Sequence, residues 1–254
     1  MDRWRRGLVA VVALLVVGVA CSGSDEPDLG PPSNVTRLGD ADRTDPDTTR
    51  AGQTFHVAQA VDAELVVRKA PQDNADELTT LRAADDVSGM IVCLVAQELG
   101  DDWLEVYLPT GGSADTGWVQ RDDVTLSRHR FRIEIARSEH TMTVYTGTTV
   151  ALSAPVALGP DAPDAGARLF VKDLVQPPDP AGPYRTYAYG LSGSTDDLDA
   201  FLAGRGVVAV HGTDDPAELG GDAPRGAIGV DGAVVTQMVE GIGLPLGTPV
   251  DVVS

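Results

Sequence analysis

At 254 residues the chain has room for one large domain or two small ones. A formal net charge of -19 excludes a nucleic-acid binder and a protein held by its surface on anionic lipid headgroups, since both need Lys/Arg patches, and two cysteines, Cys21 and Cys93, exclude a disulfide framework. Hydrophobic residues at 43% suffice for a core, while 28 glycines, 17 prolines and only 5% aromatics favour short strands and many turns over long helices.

The chain opens on Arg3, Arg5 and Arg6, followed by an uncharged run over residues 7–20. A bilayer-spanning helix needs about 20 apolar residues, so the run reads as the apolar core of a secretory signal peptide, residues 1–20. It ends in Gly18-Val19-Ala20-Cys21-Ser22-Gly23, which resembles the lipobox of bacterial lipoproteins. Gly18 stands where those proteins more often have leucine. The resemblance implies that the Cys21 thiol receives a diacylglycerol and becomes the new N-terminus, an anchor of a kind that lipid chains supply and a soluble domain lacks. Ordinary secretion with a free Cys21 is the alternative. Residues 21–54 are rich in Asp, Pro, Thr, Ser and Gly, with almost nothing to bury. They are expected to form a disordered tether.

From Phe55 the pattern changes to short apolar runs bounded by Gly, Asp or Pro, the signature of strands. Strands are predicted at 64–68, 90–95, 103–108 and 117–119. In the third of these Leu104, Val106 and Leu108 share one face and Trp103, Glu105 and Tyr107 the other. Cys93, inside an apolar run, reads as a small buried hydrophobe. Further strands are predicted at 131–135, at 141–145 and 148–152 around a Thr146-Gly147 turn, at 168–175, at 207–210 and at 248–253. Two short helices are expected. One starts at Ser194 or Thr195, with Asp196 and Asp197 in its first turn, and ends at Gly204. The other runs from about Ala233 to Glu240 and stops at Gly241.

The pieces Leu65-Val66-Val67-Arg68 with Pro71, Gly100-Asp101-Asp102-Trp103-Leu104-Glu105-Val106 and Gly117-Trp118-Val119 resemble a bacterial Src-homology-3-like (SH3-like) domain over residues 55–127. Such domains bind peptidoglycan or dock on a neighbouring cell-wall enzyme. A purely structural spacer is the other reading. Over residues 128–254 the segment Val210-His211-Gly212-Thr213, followed by Asp215-Pro216 and Leu219-Gly220, resembles the YkuD-type L,D-transpeptidase domain. There a His-Gly-Thr triplet at a strand end precedes a Ser/Thr-His-Gly-Cys-apolar-Arg/Asn motif. Gly182-Pro183-Tyr184, Tyr187-Ala188-Tyr189-Gly190-Leu191-Ser192 and Leu244-Pro245-Leu246-Gly247-Thr248-Pro249-Val250 agree with it. The implied architecture is mainly β: a small SH3-like barrel, then a YkuD-type mixed β-sandwich with two short helices.

In that family a thiolate attacks a carbonyl of a peptidoglycan stem peptide, a histidine raises the thiolate fraction, and backbone N–H groups hold the oxyanion. Here the matching stretch is Pro224-Arg225-Gly226-Ala227-Ile228-Gly229-Val230. Pro224 stands for Ser/Thr, Arg225 for the histidine, Ala227 for the cysteine and Gly229 for Arg/Asn; Gly226 alone is retained. A methyl group has no lone pair, so no acyl-enzyme can form at Ala227. The resemblance therefore implies a catalytically silent member whose stem-peptide cleft, built from His211, Gly212, Thr213 and Gly226, binds peptidoglycan stems or accompanies a cell-wall enzyme. It implies no cofactor and no metal, no nucleic acid, and a place on the outer face of the bacterial membrane. Two alternatives stay open: an enzyme with relocated chemistry, using Ser192, Ser194 or Thr195 with His211, and a structural pair of domains with no ligand.

Overall fold

The computed structural model describes residues 36–37, 53–110, 115–177, 186–194, 200, 203, 207–213 and 215–254. The signal peptide and Cys21 lie outside the described residues, as does nearly all of the expected tether and of the helix expected from Ser194 to Gly204. The chain is mainly β, arranged in two sheets.

The first sheet is built from β1 (Thr36–Arg37), β2 (Phe55–Ala60), β3 (Glu64–Arg68), β4 (Glu77–Arg82), β5 (Val92–Leu99), β6 (Trp103–Tyr107), β7 (Thr116–Gln120) and β8 (Val124–His129), in the order β1-β8-β2-β5-β6-β7-β3-β4. Its pairings are antiparallel. Alternation decides what faces inward: in β6, Leu104 and Val106 are buried while Trp103, Glu105 and Tyr107 are half-buried, as the sequence predicts. These residues join Leu65, Val67, Cys93 and Val119 in one core. Burial pushes the Cys93 thiol up to about 12, with Asp86 adding to the effect, so it is a packing residue and no nucleophile.

The strand predicted at 90–95 starts later, at Val92, and runs on to Leu99. In this sheet β2, β4 and β8, besides the two-residue β1, have no counterpart in the predicted set. β2 and β8 pair along their whole lengths, and β4 lies at the sheet edge, where polar residues on one side weaken the alternation. β8 also runs through the expected domain boundary between residues 127 and 128. Within the expected tether, Thr36–Arg37 pairs with Ser127 and Arg128.

The second sheet is mixed. It contains β9 (Phe131–Ala136), β10 (Thr141–Thr146), β11 (Thr149–Pro155), β12 (Ala157–Leu158), β13 (Arg168–Val175), β14 (Ala188–Leu191), β15 (Ala209–Gly212), β16 (Gly221–Asp222), β17 (Ile228–Val230) and β18 (Pro249–Val253), in the order β11-β10-β9-β18-β13-β14-β15-β17-β12-β16. The sheet curls, so Phe131, Ile133, Ile135 and Val144 at one end share a core with Val210, Ile228 and Val230 at the other. In the β10–β11 hairpin Thr146 pairs with Thr149. The turn is thus Gly147-Thr148, one residue later than expected, with Gly147 at φ 61 in the first central position that a II′ turn reserves for glycine. The strand expected at 207–210 begins at Ala209 and takes in His211 and Gly212. In this sheet β12, β14, β16 and β17 have no counterpart in the predicted set.

One helix, α1 (Gly232–Thr236), closes the core with Val235. Asp231 caps it by accepting from the Ala233 N–H at 2.8 Å. The helix widens into a π-turn over Gln237–Ile242 and stops at Gly243, φ 66, two residues past the expected Gly241.

The sheets meet along a packed seam. Phe55, Leu94 and Tyr107 of the first sheet enclose Phe170 of β13. Val87, in the loop after β4, packs with Ala188, Val207 and Ala209 behind β14 and β15. The Gly193 N–H donates to the Pro109 carbonyl at 2.9 Å. Gly247, at φ 80, lies so near Val57 that a Cβ there would fall inside contact distance.

Ion pairs differ in weight along the chain. Arg82–Glu64 and Lys69–Asp76 are exposed and worth under about 1 kcal/mol each. Lys172 is 1% exposed, with Asp173 Oδ2 at 3.4 Å and Asp86 Oδ2 at 3.7 Å. Losing one partner of a buried pair costs about 3–5 kcal/mol, so this cluster dominates the electrostatics of the seam. Neighbours on a strand normally face opposite ways. A bulge between Val171 and Asp173 interrupts that alternation where Lys172 and Asp173 stand.

Two outcomes are expected. Gly247→Ala lowers stability in chemical denaturation by about 2–4 kcal/mol, from the left-handed backbone and the clash, and Val57→Ala in the same chain restores part of it. His129, 1% exposed between Phe55 and Phe131, has its pKa lowered from 6.5 to about 4, by burial first and then by nearby His56. The unfolded chain takes up this proton first, so stability falls by about 3 kcal/mol as pH drops from about 6.5 through about 4. The slope of melting temperature with pH in that window is expected to flatten in His129→Asn, whose amide oxygen can keep the Phe131 N–H bond.

Candidate functional site

The residues singled out by the two motifs come together on adjacent parallel strands. β15 and β17 pair Val210 with Ile228, His211 with Gly229 and Gly212 with Val230. The Thr213 N–H extends the ladder to the Val230 carbonyl at 2.7 Å. On the other side of β17, β12 runs antiparallel and pairs Ala157 with Gly229. The Gly159 N–H then donates to the Ala227 carbonyl at 2.8 Å and the Asp161 N–H to the Gly226 carbonyl at 3.1 Å. The backbone around the family's nucleophile position is therefore held from both sides.

His211 is half-buried, and its Nδ1 lies 3.1 Å from the Gly212 carbonyl oxygen, the acceptor in that pair. Its Nε2 faces Gly226: a Cβ on that residue would come within 3.2 Å of it, and Gly226 takes φ 79. Glycine is required here twice over, by backbone conformation and by the imidazole. Thr213 accepts from the Asp215 N–H at 3.1 Å, and Asp215 accepts from the Ala217 N–H at 3.0 Å. That relay turns the chain out of β15 and caps the short turn Pro216–Glu218. The threonine of the His-Gly-Thr triplet thus has a structural task of its own.

At Ala227, Gly229, Pro224 and Arg225, the positions singled out in the second motif, the surroundings suit the residues present. Ala227 is 2% exposed and belongs to the hydrophobic core, among residues such as Ile228 and Val230. Gly229 is buried, and a Cβ on it would sit 3.3 Å from that of Thr213 and 3.5 Å from that of Ala157, which leaves no room for a long polar side chain. Pro224 and Arg225 are exposed.

The relocated hydroxyls fare no better. Ser192 and Ser194 are buried, and their Oγ atoms accept from the Phe170 and Val208 N–H groups, each at 3.2 Å. Both serve the backbone. Thr195 lies outside the described residues.

Two features escaped the sequence reading. His140, at φ 48, places Nε2 3.1 Å from the exposed Asp222 carboxylate on β16, two strands from Gly229. The buried Lys172–Asp86–Asp173 cluster is the other. Both pairings bridge residues far apart in the chain, and no local pattern announces such contacts.

No family model matches the chain, and no curated protein matches it. Among solved structures it is similar in part to L,D-transpeptidases. A mutant of the Enterococcus faecium enzyme matches at 20% identity, covering 49% of this chain and 50% of that one, with a TM-score of 0.36. Mycobacterium tuberculosis L,D-transpeptidase 1 matches at 16% identity over 57% of this chain and 82% of that one, TM-score 0.35. An L,D-transpeptidase from Mycobacterium smegmatis matches at 15% identity over 64% and 90%, TM-score 0.38. The chain spans about half the length of the Enterococcus protein.

Burial of Ala227 has a measurable consequence. A thiol placed there by Ala227→Cys, in a Cys21→Ser background, is expected to react with a disulfide reagent roughly a hundredfold more slowly than the same thiol in the unfolded chain, because buried thiols stay protonated and unreachable. The labelling rate under native and denaturing conditions measures it.

Proposed function

We propose that the protein is a catalytically silent relative of the L,D-transpeptidases, lipid-anchored through Cys21 at the outer face of the bacterial membrane, where it binds peptidoglycan stem peptides. The observation that carries the proposal is the register that sets His211, Gly212 and Thr213 against Gly226 and Gly229 while the nucleophile position is a methyl group in the core. Acyl transfer needs a nucleophile, a base and an oxyanion site acting together. Arg225 cannot serve as a base near neutral pH, and Ala227 cannot carry an acyl group. Binding needs only the shaped backbone and the imidazole, and these persist. A cell-wall enzyme presenting a similar strand or stem is the alternative occupant of the same groove. A hydrolase built on Ser192 or Ser194 is disfavoured, because both hydroxyls are committed to backbone N–H groups.

The deciding experiment exposes the protein to a carbapenem and to a stem tetrapeptide and measures its intact mass. An unchanged mass is expected; a covalent adduct would overturn the proposal. Titration with purified muropeptides is expected to show saturable binding that weakens roughly tenfold, about 1.4 kcal/mol, in His211→Ala. Cys21→Ser is expected to move the protein from the detergent phase to the aqueous phase.

A further inference from the structure

The seam buries two carboxyl groups against one ammonium. Lys172 and Asp173 are almost fully enclosed, and the Asp86 side chain is 9% exposed. The loop after β4 supplies Asp86 and Ser88. The Ser88 N–H is shared between Asp86 Oδ1 and Asp173 Oδ1, at 3.0 Å each, and the Ser88 hydroxyl donates to Asp86 Oδ1 at 2.7 Å. Asp173 Oδ2 is buried and accepts no hydrogen bond among the described residues. Two ionised carboxylates beside one ammonium would leave an uncompensated negative charge away from water, which is costly. One proton on Asp173 removes that charge and turns the orphaned oxygen into a donor. Cys93, on β5 next to Asp86, stays neutral and does not alter this balance.

We propose that Asp173 forms a proton-gated clasp beside Asp86: a proton held on Asp173 closes the loop after β4 onto β13, and its release to solvent as the pH rises to neutrality loosens the support of β14 and β15, the strand that bears His211. The mechanical link is Val87, next to Asp86, which packs with Ala188, Val207 and Ala209. The Asp173 carboxyl is raised from 3.8 to about 7, by burial first and then by the hydrogen bond and charge of Asp86, against the opposing pull of Lys172 and Ser88. A carboxyl raised in the closed state contributes stability that is complete below about pH 4 and is lost progressively up to about pH 7. His129, another buried group with a shifted pKa, acts in the opposite direction and only below about pH 6.5.

The test is amide hydrogen exchange of Val87, Ser88 and the β14–β15 pair, corrected for intrinsic rates, from about pH 5 to about pH 8. In the wild type the opening constant is expected to rise by up to about tenfold per pH unit and to level off near pH 7. In Asp173→Asn, which keeps the shape without the ionisation, these amides are expected to stay protected throughout. Equal protection at both ends of the range, or the same slope in the variant, would overturn the clasp. If Asp173→Asn does not fold, the carboxyl carbon shift of Asp173 in the wild type decides: a midpoint near 7 supports the proposal and one near 4 ends it.

Discussion

The fold turns on one buried ammonium. A lysine cannot be stripped of water without nearby carboxylates, and the second sheet supplies Lys172 with Asp173 through the bulge in β13. Another, Asp86, comes from the first sheet. The two sheets therefore complete each other's electrostatics, and the apolar contacts of Phe55, Leu94, Tyr107 and Phe170 assemble on the same seam. Hydrophobic burial supplies the attraction there but is tolerant of small shifts. The charged cluster is not tolerant, and it fixes how the pieces meet.

The same constraint bears on the candidate site. β15 is backed by the loop that carries Asp86, so the position of His211 depends on a part of the chain far from it in sequence. The backbone at Gly226 and Ala227 is held by hydrogen bonds from Gly159 and Asp161, and the absence of a side chain on Gly226 admits the imidazole. None of these depends on a thiol.

Much of this was legible in the sequence, for identifiable reasons. Strands with strict alternation, such as Trp103–Tyr107 and Phe131–Ala136, declared themselves through the side chains they bury. The two motifs around His211 and Ala227 were visible as strings, and their meeting in space follows from parallel pairing of two short strands. What stayed hidden lacked a local signature. β4 is an edge strand with a polar side, and β8 ends in Ser127, Arg128 and His129, which show no strand pattern until the antiparallel partner β2 is placed beside them. The Lys172 cluster depends on a bulge, and a bulge is a property of the pairing, not of one strand. The helix boundary moved to Gly243 because a π-turn adds residues that a regular helical period does not anticipate.

The continuity of β8 into β9 has a further meaning. Only Arg130 separates the last residue of the first sheet from the first residue of the second, and β8 pairs with β2 along its full length. Separating the halves before β8 would leave β2 with an open edge, and separating them after it would remove the residues that lead into Phe131. Evolution commonly trades such halves as interchangeable cassettes joined by slack linkers. This junction has no slack, so insertion, duplication or exchange of either half would have to rebuild the other. The two halves therefore fold as parts of one continuous backbone.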